Sequence, residues 1–299
     1  MRAVQFEQYG DPEVLHVGDA PDPHAGPGEV RIAVEAAGVN PFDAKVRSGL
    51  MAQMMPLDLP HVPGLEAAGV VDEVGDGVVG VAVGDRVFGN GSATYAELAV
   101  LKAFAPIPGA LTMAEAAALP VSVETGARLL DLLELHPGGL LVVDGASGGV
   151  GTSLVQLAVA RGLTVVGTAS EANHGYLREL GAIPTTYGEG LADRVHALVD
   201  QPVAGALDLA GKGAVPDLVA LTGDPARVAT IADYGAGEQG VTVSTAASAY
   251  YALGDVARLV EEGRFRVTVD EVIPWTEAAR AHERSESGHV RGKLVLAVG

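Results

Sequence analysis

The chain of 299 residues contains no cysteine. That excludes disulfides, thiolate nucleophiles, iron–sulfur clusters and every zinc site that requires a cysteine ligand. Bases are also scarce. Four Lys and fifteen Arg face 38 acids, for a formal charge of −19. So acidic a chain repels phosphate backbones, and nucleic acid is not expected as a partner. Aromatic residues make up only 4% of a sequence that is 48% hydrophobic, so the core must be mostly aliphatic. No run approaches the roughly 20 apolar residues of a membrane helix. The first nineteen residues lack a basic segment followed by an apolar one. A cytoplasmic protein with no membrane partner is the expectation. The eight histidines include no i, i+4 pair, and neither a Walker lysine nor a Gly-x-Ser-x-Gly elbow is present.

What is present falls into two styles. The first hundred residues read as short strands: Arg2–Phe6, Glu29–Ala37, Leu65–Val74, Val81–Phe88 and Tyr95–Leu101, punctuated by Gly and Pro. Such a pattern suggests a small barrel. Phe42–Ser48 reads as a helical turn. From Thr112-Met-Ala-Glu115, a capping box, strands and helices alternate. Strands are expected at Leu140–Asp144, Thr164–Thr168, Ala206–Ala210, Arg227–Ala232 and Val241–Ser244. Helices are expected at Val123–Leu135, Val150–Arg161, Tyr176–Leu180, Leu191–Val199 and Val215–Leu221. Alternation of this kind predicts an α/β unit, a doubly wound parallel sheet with helices on both faces. A helix (Leu253–Glu262), Phe265–Val269, a second helix (Thr276–Ser285) and a strand (Lys293–Val298) follow. The barrel unit is therefore read as residues 1–112 and 256–299, split around a nucleotide unit at 113–255.

The most informative segment runs from the buried strand Leu140–Asp144 through Gly145-Ala146-Ser147-Gly148-Gly149-Val150-Gly151 into an amphipathic helix. Glycines suit such a turn because it is tight, because a pyrophosphate must approach the backbone, and because the helix packs close to the strand. A diphosphate would then lie on free N–H groups at the positive end of the helix. The second strand ends Thr168-Ala169-Ser170. A small hydroxyl stands at Ser170 where an acid would bind the ribose 2′-hydroxyl of NAD. That leaves room for a 2′-phosphate and favours NADPH, although Glu171 is adjacent. Tyr187, at the next strand end, either reaches the adenosine ribose or phosphate or is an ordinary loop aromatic.

Six segments together give the chain a resemblance to a known family. They are Ala37-Gly-Val-Asn40-Pro-Phe-Asp43, Val62-Pro-Gly-Leu65-Glu66-Ala-Ala-Gly69, Val83-Gly-Asp85-Arg-Val-Phe88, Ala117-Ala-Leu-Pro120, the Gly145–Gly151 turn, and Gly288-His-Val-Arg291-Gly-Lys293. Over nearly its whole length the chain resembles the zinc-independent quinone oxidoreductase branch of the medium-chain dehydrogenase/reductase superfamily. The resemblance implies a GroES-like β-barrel catalytic domain plus a Rossmann domain, cofactor and substrate in the cleft between them, and a homodimer. The zinc-dependent relatives carry a cysteine ligand where Asn40 stands and a histidine ligand where Leu65 stands, and their four-cysteine lobe is missing here. The expected chemistry is therefore metal-free hydride transfer from NADPH to a quinone or another α,β-unsaturated carbonyl, whose product anion is stabilised by conjugation. Two alternatives stay open: an enoyl or alkenal reductase with incidental quinone activity, and a non-catalytic NADPH-binding or sensing protein.

Candidate catalytic residues follow from the same resemblance. Asn40 would orient the nicotinamide or hydrogen-bond the acceptor carbonyl, or else only forms the Asn-Pro turn. Asp43 lies one turn on, as a site group or a helix-face charge. Tyr95 corresponds to an aromatic facing the cleft, whose phenol would donate to the reduced oxygen, or it packs in the core. Ser122 and Thr125 would touch the nicotinamide end, with helix capping as the competing reading for Ser122, and Arg291 and Lys293 would meet the cofactor phosphates or lie on a solvated terminal strand.

Overall fold

Val30, Ile32 and Val34 alternate along ten extended residues, which sets three branched side chains on one buried face. The computed structural model describes all 299 residues. Strands β1 (Arg2–Gln5), β2 (His16–Asp19), β3 (Val30–Val39), β4 (Glu66–Val74), β5 (Arg86–Ser92) and β6 (Leu98–Pro106) come first, with helix α1 (Pro41–Arg47) after β3 and α2 (Met113–Ala117) after β6. β3 pairs antiparallel with both β4 and β6, and β5 pairs with the same two strands, so these four strands close on themselves as a barrel. β1 and β2 form a separate antiparallel pair.

Next come α3 (Pro120–Leu133), β7 (Leu140–Asp144), α4 (Gly149–Ala160), β8 (Thr164–Thr168), α5 (His174–Glu179), β9 (Ile183–Thr185), α6 (Leu191–Leu198), β10 (Val203–Asp208), α7 (Val215–Thr222), β11 (Val228–Thr230) and β12 (Thr242–Val243). These strands form one parallel sheet in the order β12-β11-β10-β7-β8-β9. The direction of winding reverses between β10 and β7, the place where doubly wound sheets bind ligands at the carboxyl ends of their strands. Every residue of β7 is buried, as expected of a strand covered on both faces. The chain returns through α8 (Ala252–Glu261), β13 (Val269–Pro274), α9 (Ala278–Glu286) and β14 (Lys293–Ala297), which adds to the barrel sheet antiparallel to β3.

Two compact units result: Met1–Val121 with Tyr250–Gly299, and Ser122–Ala249. The barrel unit thus takes in a few residues beyond the sequence-based borders on either side. Its core gathers Phe6, Ile32, Tyr95, Leu101, Trp275, Leu294 and Leu296. The sheet unit packs Leu140, Val142, Val166, Val195, Leu218 and Val228. No helix is long and apolar enough to cross a membrane.

Several elements differ from the sequence reading. Residues 81–85 form a turn, and β5 starts at Arg86. Asp85 N–H bonds back to Ala82 O and Gly84 takes a left-handed φ of +97°, which closes a turn there. β6 begins at Leu98 rather than Tyr95. The segment expected as a strand at 265–269 is irregular, and β13 occupies Val269–Pro274. β2 has no counterpart in the sequence reading, and β9 is the strand expected to end near Tyr187, for which no limits are predicted. β9 is a three-residue edge strand containing Pro184, and proline is tolerated only at such an edge.

Candidate active site and dinucleotide turn

In the barrel unit, antiparallel pairing brings three strand ends together. β3 ends at Val39, β4 begins at Glu66, and β14 begins at Lys293; β3 lies between the other two, with Ala37 opposite Ala67 and Val39 opposite Leu294. Asn40 follows β3 directly, held extended by Pro41. Its side chain meets both neighbours. Lys293 Nζ donates to Asn40 Oδ1 at 2.6 Å and to Glu66 Oε1 at 2.5 Å, and Asn40 Nδ2 donates to Glu66 Oε1 at 2.9 Å. The second oxygen of Glu66 accepts Val121 N–H at 2.7 Å. Glu66 is wholly buried, and Asn40 and Lys293 nearly so. Gly38 makes the room: a Cβ there would strike the Glu66 carboxylate and would lie 2.7 Å from Ala117 O. Glu66 and Lys293 were not singled out as a pair by the sequence, because no local pattern joins residues so far apart.

Asp43 sits on the other side of Asn40. Its Oδ2 accepts Asn40 N–H at 2.9 Å and the Tyr95 hydroxyl at 3.0 Å. The structure therefore brings Asn40, Asp43 and Tyr95 into one buried chain of hydrogen bonds. Tyr95, read either as a donor to the reduced oxygen or as a core residue, is fully buried, with its hydroxyl hydrogen given to Asp43. Burial and the neighbouring Asp43 carboxylate push the phenol well above its ordinary range. The Tyr95 ring meets the imidazole of His282 edge-on at 5.9 Å. Burial, with the Arg47 cation nearby, lowers that imidazole to about 3, so it is neutral.

Burial raises Asp43 from 3.8 to about 6, against the pull of Asn40 N–H, the Tyr95 hydroxyl and Lys293. Its folded value thus lies above its unfolded one. The associated stability is complete below about pH 4 and is lost as pH rises through about 6. Asp43→Asn removes that dependence. The stability of the variant relative to the native protein should rise by about 2–3 kcal/mol between pH 4 and pH 7.5. Urea unfolding at the two pH values measures it. A difference that does not change with pH would mean that Asp43 does not titrate in this window.

The sheet unit holds the glycine turn. Of its glycines only Gly145 takes a left-handed conformation, at φ +81°. Gly151 is required for closeness, since a Cβ there would lie 2.6 Å from both the carbonyl carbon and oxygen of Ala146. Gly148 caps α4 without a side-chain hydrogen bond, and the first intrahelical bond is Thr152 N–H to Gly148 O. The N–H groups of Gly149, Val150 and Gly151 lie ahead of that bond, at the positive end of a twelve-residue helix. A pyrophosphate fits these donors, and Ser147 and Val150 lie half-exposed beside them.

Thr168 is buried and braces the turn. Its hydroxyl donates to Asp144 Oδ1 at 2.5 Å and accepts Gly145 N–H at 3.0 Å, while its carbonyl accepts Ala146 N–H at 3.1 Å. Burial holds Asp144 above the usual carboxylate range, with a further push from Asp208 on the adjacent strand. Asp208 repeats the device: Thr230 Oγ1 donates to it at 2.8 Å, and it accepts the N–H groups of Ala210 and Gly211. Asp144 and Asp208 had no motif to announce them. Ser170 is exposed at the end of β8, and Tyr187 is 60% exposed beyond β9. Thr125 is buried in α3, its hydroxyl between Glu124 and Arg128. Arg291 is exposed in the barrel unit, just before β14.

Two family models match the chain: "Alcohol dehydrogenase GroES-like domain" over residues 26–122 and "Zinc-binding dehydrogenase" over residues 182–296. The mouse quinone oxidoreductase is 30% identical over 99% of this chain and 97% of its own. The rat quinone oxidoreductase is 40% identical over 179 residues, and there the match spans 56% of this chain and about half, 53%, of the relative's length. Among solved structures, the quinone oxidoreductase from Coxiella burnetii superposes with a TM-score of 0.85 at 30% identity, covering 100% of this chain and 99% of that one. An NAD-dependent alcohol dehydrogenase superposes with a TM-score of 0.88 at 31% identity, covering both chains fully. A mycobacterial protein complexed with NADPH reaches 0.85 at 27% identity, covering 99% of this chain and 100% of that one. With its GroES-like barrel and its parallel Rossmann sheet, this chain belongs to the quinone oxidoreductase branch of the medium-chain dehydrogenase/reductase superfamily.

Proposed function

We propose that the protein transfers hydride from NADPH to a quinone or another α,β-unsaturated carbonyl without a metal. Its membership of the quinone oxidoreductase branch supports an NAD(P)-dependent oxidoreductase acting on a small molecule. The observation that carries the metal-free reading is the Lys293 ammonium, seated between Asn40 Oδ1 and Glu66 Oε1. Those oxygens already hold a positive charge, and Leu65, where the resemblance sets a histidine ligand, offers no donor atom. Zinc needs three protein ligands and an open position.

The residues divide the remaining work. N–H groups of Gly149, Val150 and Gly151 take the pyrophosphate, and Gly145, Ala146 and Thr168 keep the turn in shape. Ser170 leaves space for a 2′-phosphate, with Tyr187 as a further contact. When bound, the dinucleotide supplies the hydride; the protein supplies position and keeps water away. Asn40 presents an amide to the acceptor, and Asp43 with Tyr95 holds Asn40 from behind. β12 pairs with β11 alone and leaves its other edge open, which is the surface proposed for a homodimer.

The test is a steady-state screen of 1,4-benzoquinones and alkenals with NADPH and NADH in parallel, on protein assayed for metal. Turnover with NADPH, unchanged by a chelator, is the expected result. Zinc-dependent turnover sinks the metal-free reading. Tight NADPH binding with no acceptor reduced would instead identify a binding or sensing protein.

A further inference from the structure

Resting on the hydride-transfer reading above, we propose that Lys293 and Glu66 are positioning residues that lock the Asn40 side chain as a hydrogen-bond donor toward the acceptor's oxygen. An asparagine amide has two unlike ends. Its oxygen only accepts and its nitrogen only donates, and the two ends are otherwise nearly the same shape. What decides the orientation is the neighbourhood. Here an ammonium, which can only donate, lies 2.6 Å from Oδ1, and a carboxylate, which can only accept, lies 2.9 Å from Nδ2. A flipped amide would set NH2 against the ammonium and C=O against the carboxylate, so both contacts would become repulsive.

The two charges also bind each other at 2.5 Å, and Glu66 is fixed a third time through Val121 N–H. The lock is therefore rigid on both sides. One Nδ2 hydrogen is committed to Glu66, which leaves the second as the group Asn40 can offer. Contact of the ammonium with Oδ1 draws electron density from the amide and strengthens that remaining N–H as a donor.

A donor suits the chemistry. When hydride forms a C–H bond at the conjugated carbon, the displaced π pair moves onto the acceptor's carbonyl oxygen. The oxygen becomes negative, and solvent water protonates it as the product is released, leaving hydroxide. A fixed N–H aimed at that oxygen is stronger against the anion than against the starting carbonyl, which is the condition for speeding the chemical step. An amide turned the other way would present a carbonyl oxygen and oppose the same charge.

Three variants separate the lock from simple packing. Asn40→Asp keeps the shape and an acceptor for Lys293 but removes the donor. Its kcat for a benzoquinone should fall about 100-fold, with the Kd for NADPH within about threefold of native. Lys293→Met removes the orienting ammonium. Glu66→Gln combined with Lys293→Met removes both charges in a pocket that keeps its volume, and it guards against a single variant that fails to fold. This double variant should retain the native circular dichroism spectrum and lose at least about tenfold in kcat. A folded double variant, or a folded Asn40→Asp, with kcat within about twofold of native overturns the proposal.

A second readout does not depend on turnover. In 15N–1H spectra of the native protein, one side-chain Nδ2 proton of Asn40 should be shifted downfield and slow to exchange, and Lys293→Met should abolish this. A native Asn40 amide with two equivalent, fast-exchanging protons overturns the lock. If the native protein reduces no acceptor, the functional reading falls, while the amide spectrum still decides the orientation of Asn40.

Discussion

Replacing Gly151 by alanine should cost about 1–3 kcal/mol of stability and lower kcat/KM about 100-fold. The added methyl would stand 2.6 Å from two backbone atoms of Ala146. Backbone cannot rotate away as a flexible side chain can, so the turn must open. Opening moves Gly145, whose N–H is held by Thr168 Oγ1, and with it the donors at the start of α4. The informative companion is Gly148→Ala. Gly148 has φ −77°, and a Cβ there would meet nothing nearer than Gly145 O at 3.5 Å. That variant should unfold within about 0.5 kcal/mol of native and yet bind NADPH more weakly, because the methyl projects where a pyrophosphate approaches the backbone. Thermal unfolding and fluorescence titration of NADPH measure the two effects. Equal NADPH affinity for Gly148→Ala and native protein would remove the turn from the cofactor's path.

The second large effect concerns stability in the barrel unit. Glu66→Ala strips three donors of their acceptor at once: Lys293 Nζ, Asn40 Nδ2 and Val121 N–H. It leaves a buried ammonium without its counter-charge, and the loss should be about 3–5 kcal/mol. Lys293→Met, which strands the carboxylate, should cost a similar amount. The combined Glu66→Ala, Lys293→Met variant should lose much less than the two single losses added together, since it leaves neither charge buried without its partner. The resulting coupling should exceed about 2 kcal/mol in a double-mutant cycle followed by urea unfolding. Additive losses would mean that the two charges do not act as a pair.

Legibility in the sequence depended on how local the cause was. β7 and β8 match their sequence-based limits, Leu140–Asp144 and Thr164–Thr168, because each is a short aliphatic run ended by glycine or a small polar residue. The α2 start was readable because Thr112 and Glu115 satisfy each other over three residues. β5 shifted because its residues include Gly89, Asn90 and Gly91, poor strand formers that only the barrel pairing holds extended. β13 was misplaced since Val269-Asp-Glu-Val carries no clean alternation. At the site, Asn40, Asp43 and Tyr95 were named individually, but the direction of the Tyr95 hydroxyl was not visible. The Glu66–Lys293 contact spans 227 residues, and nothing in the neighbourhood of either residue signals the other.

That separation also governs the order of assembly. Glu66 leaves the ribosome long before Lys293, and the whole parallel sheet is made in between. Until β14 emerges, the start of β4 carries a carboxylate with no counter-ion, so the carboxyl end of β3 cannot become dry. β14 must also enter beside a strand already paired along one edge with β4 and, over Val30–Ala33 of its other edge, with β6, so that only Ala36–Val39 remain for it. Late arrival of a distant strand is a slow event, set by loop closure rather than by local propensity. β14, and with it the counter-charge of Glu66, therefore arrives only after every strand of the sheet unit has been made.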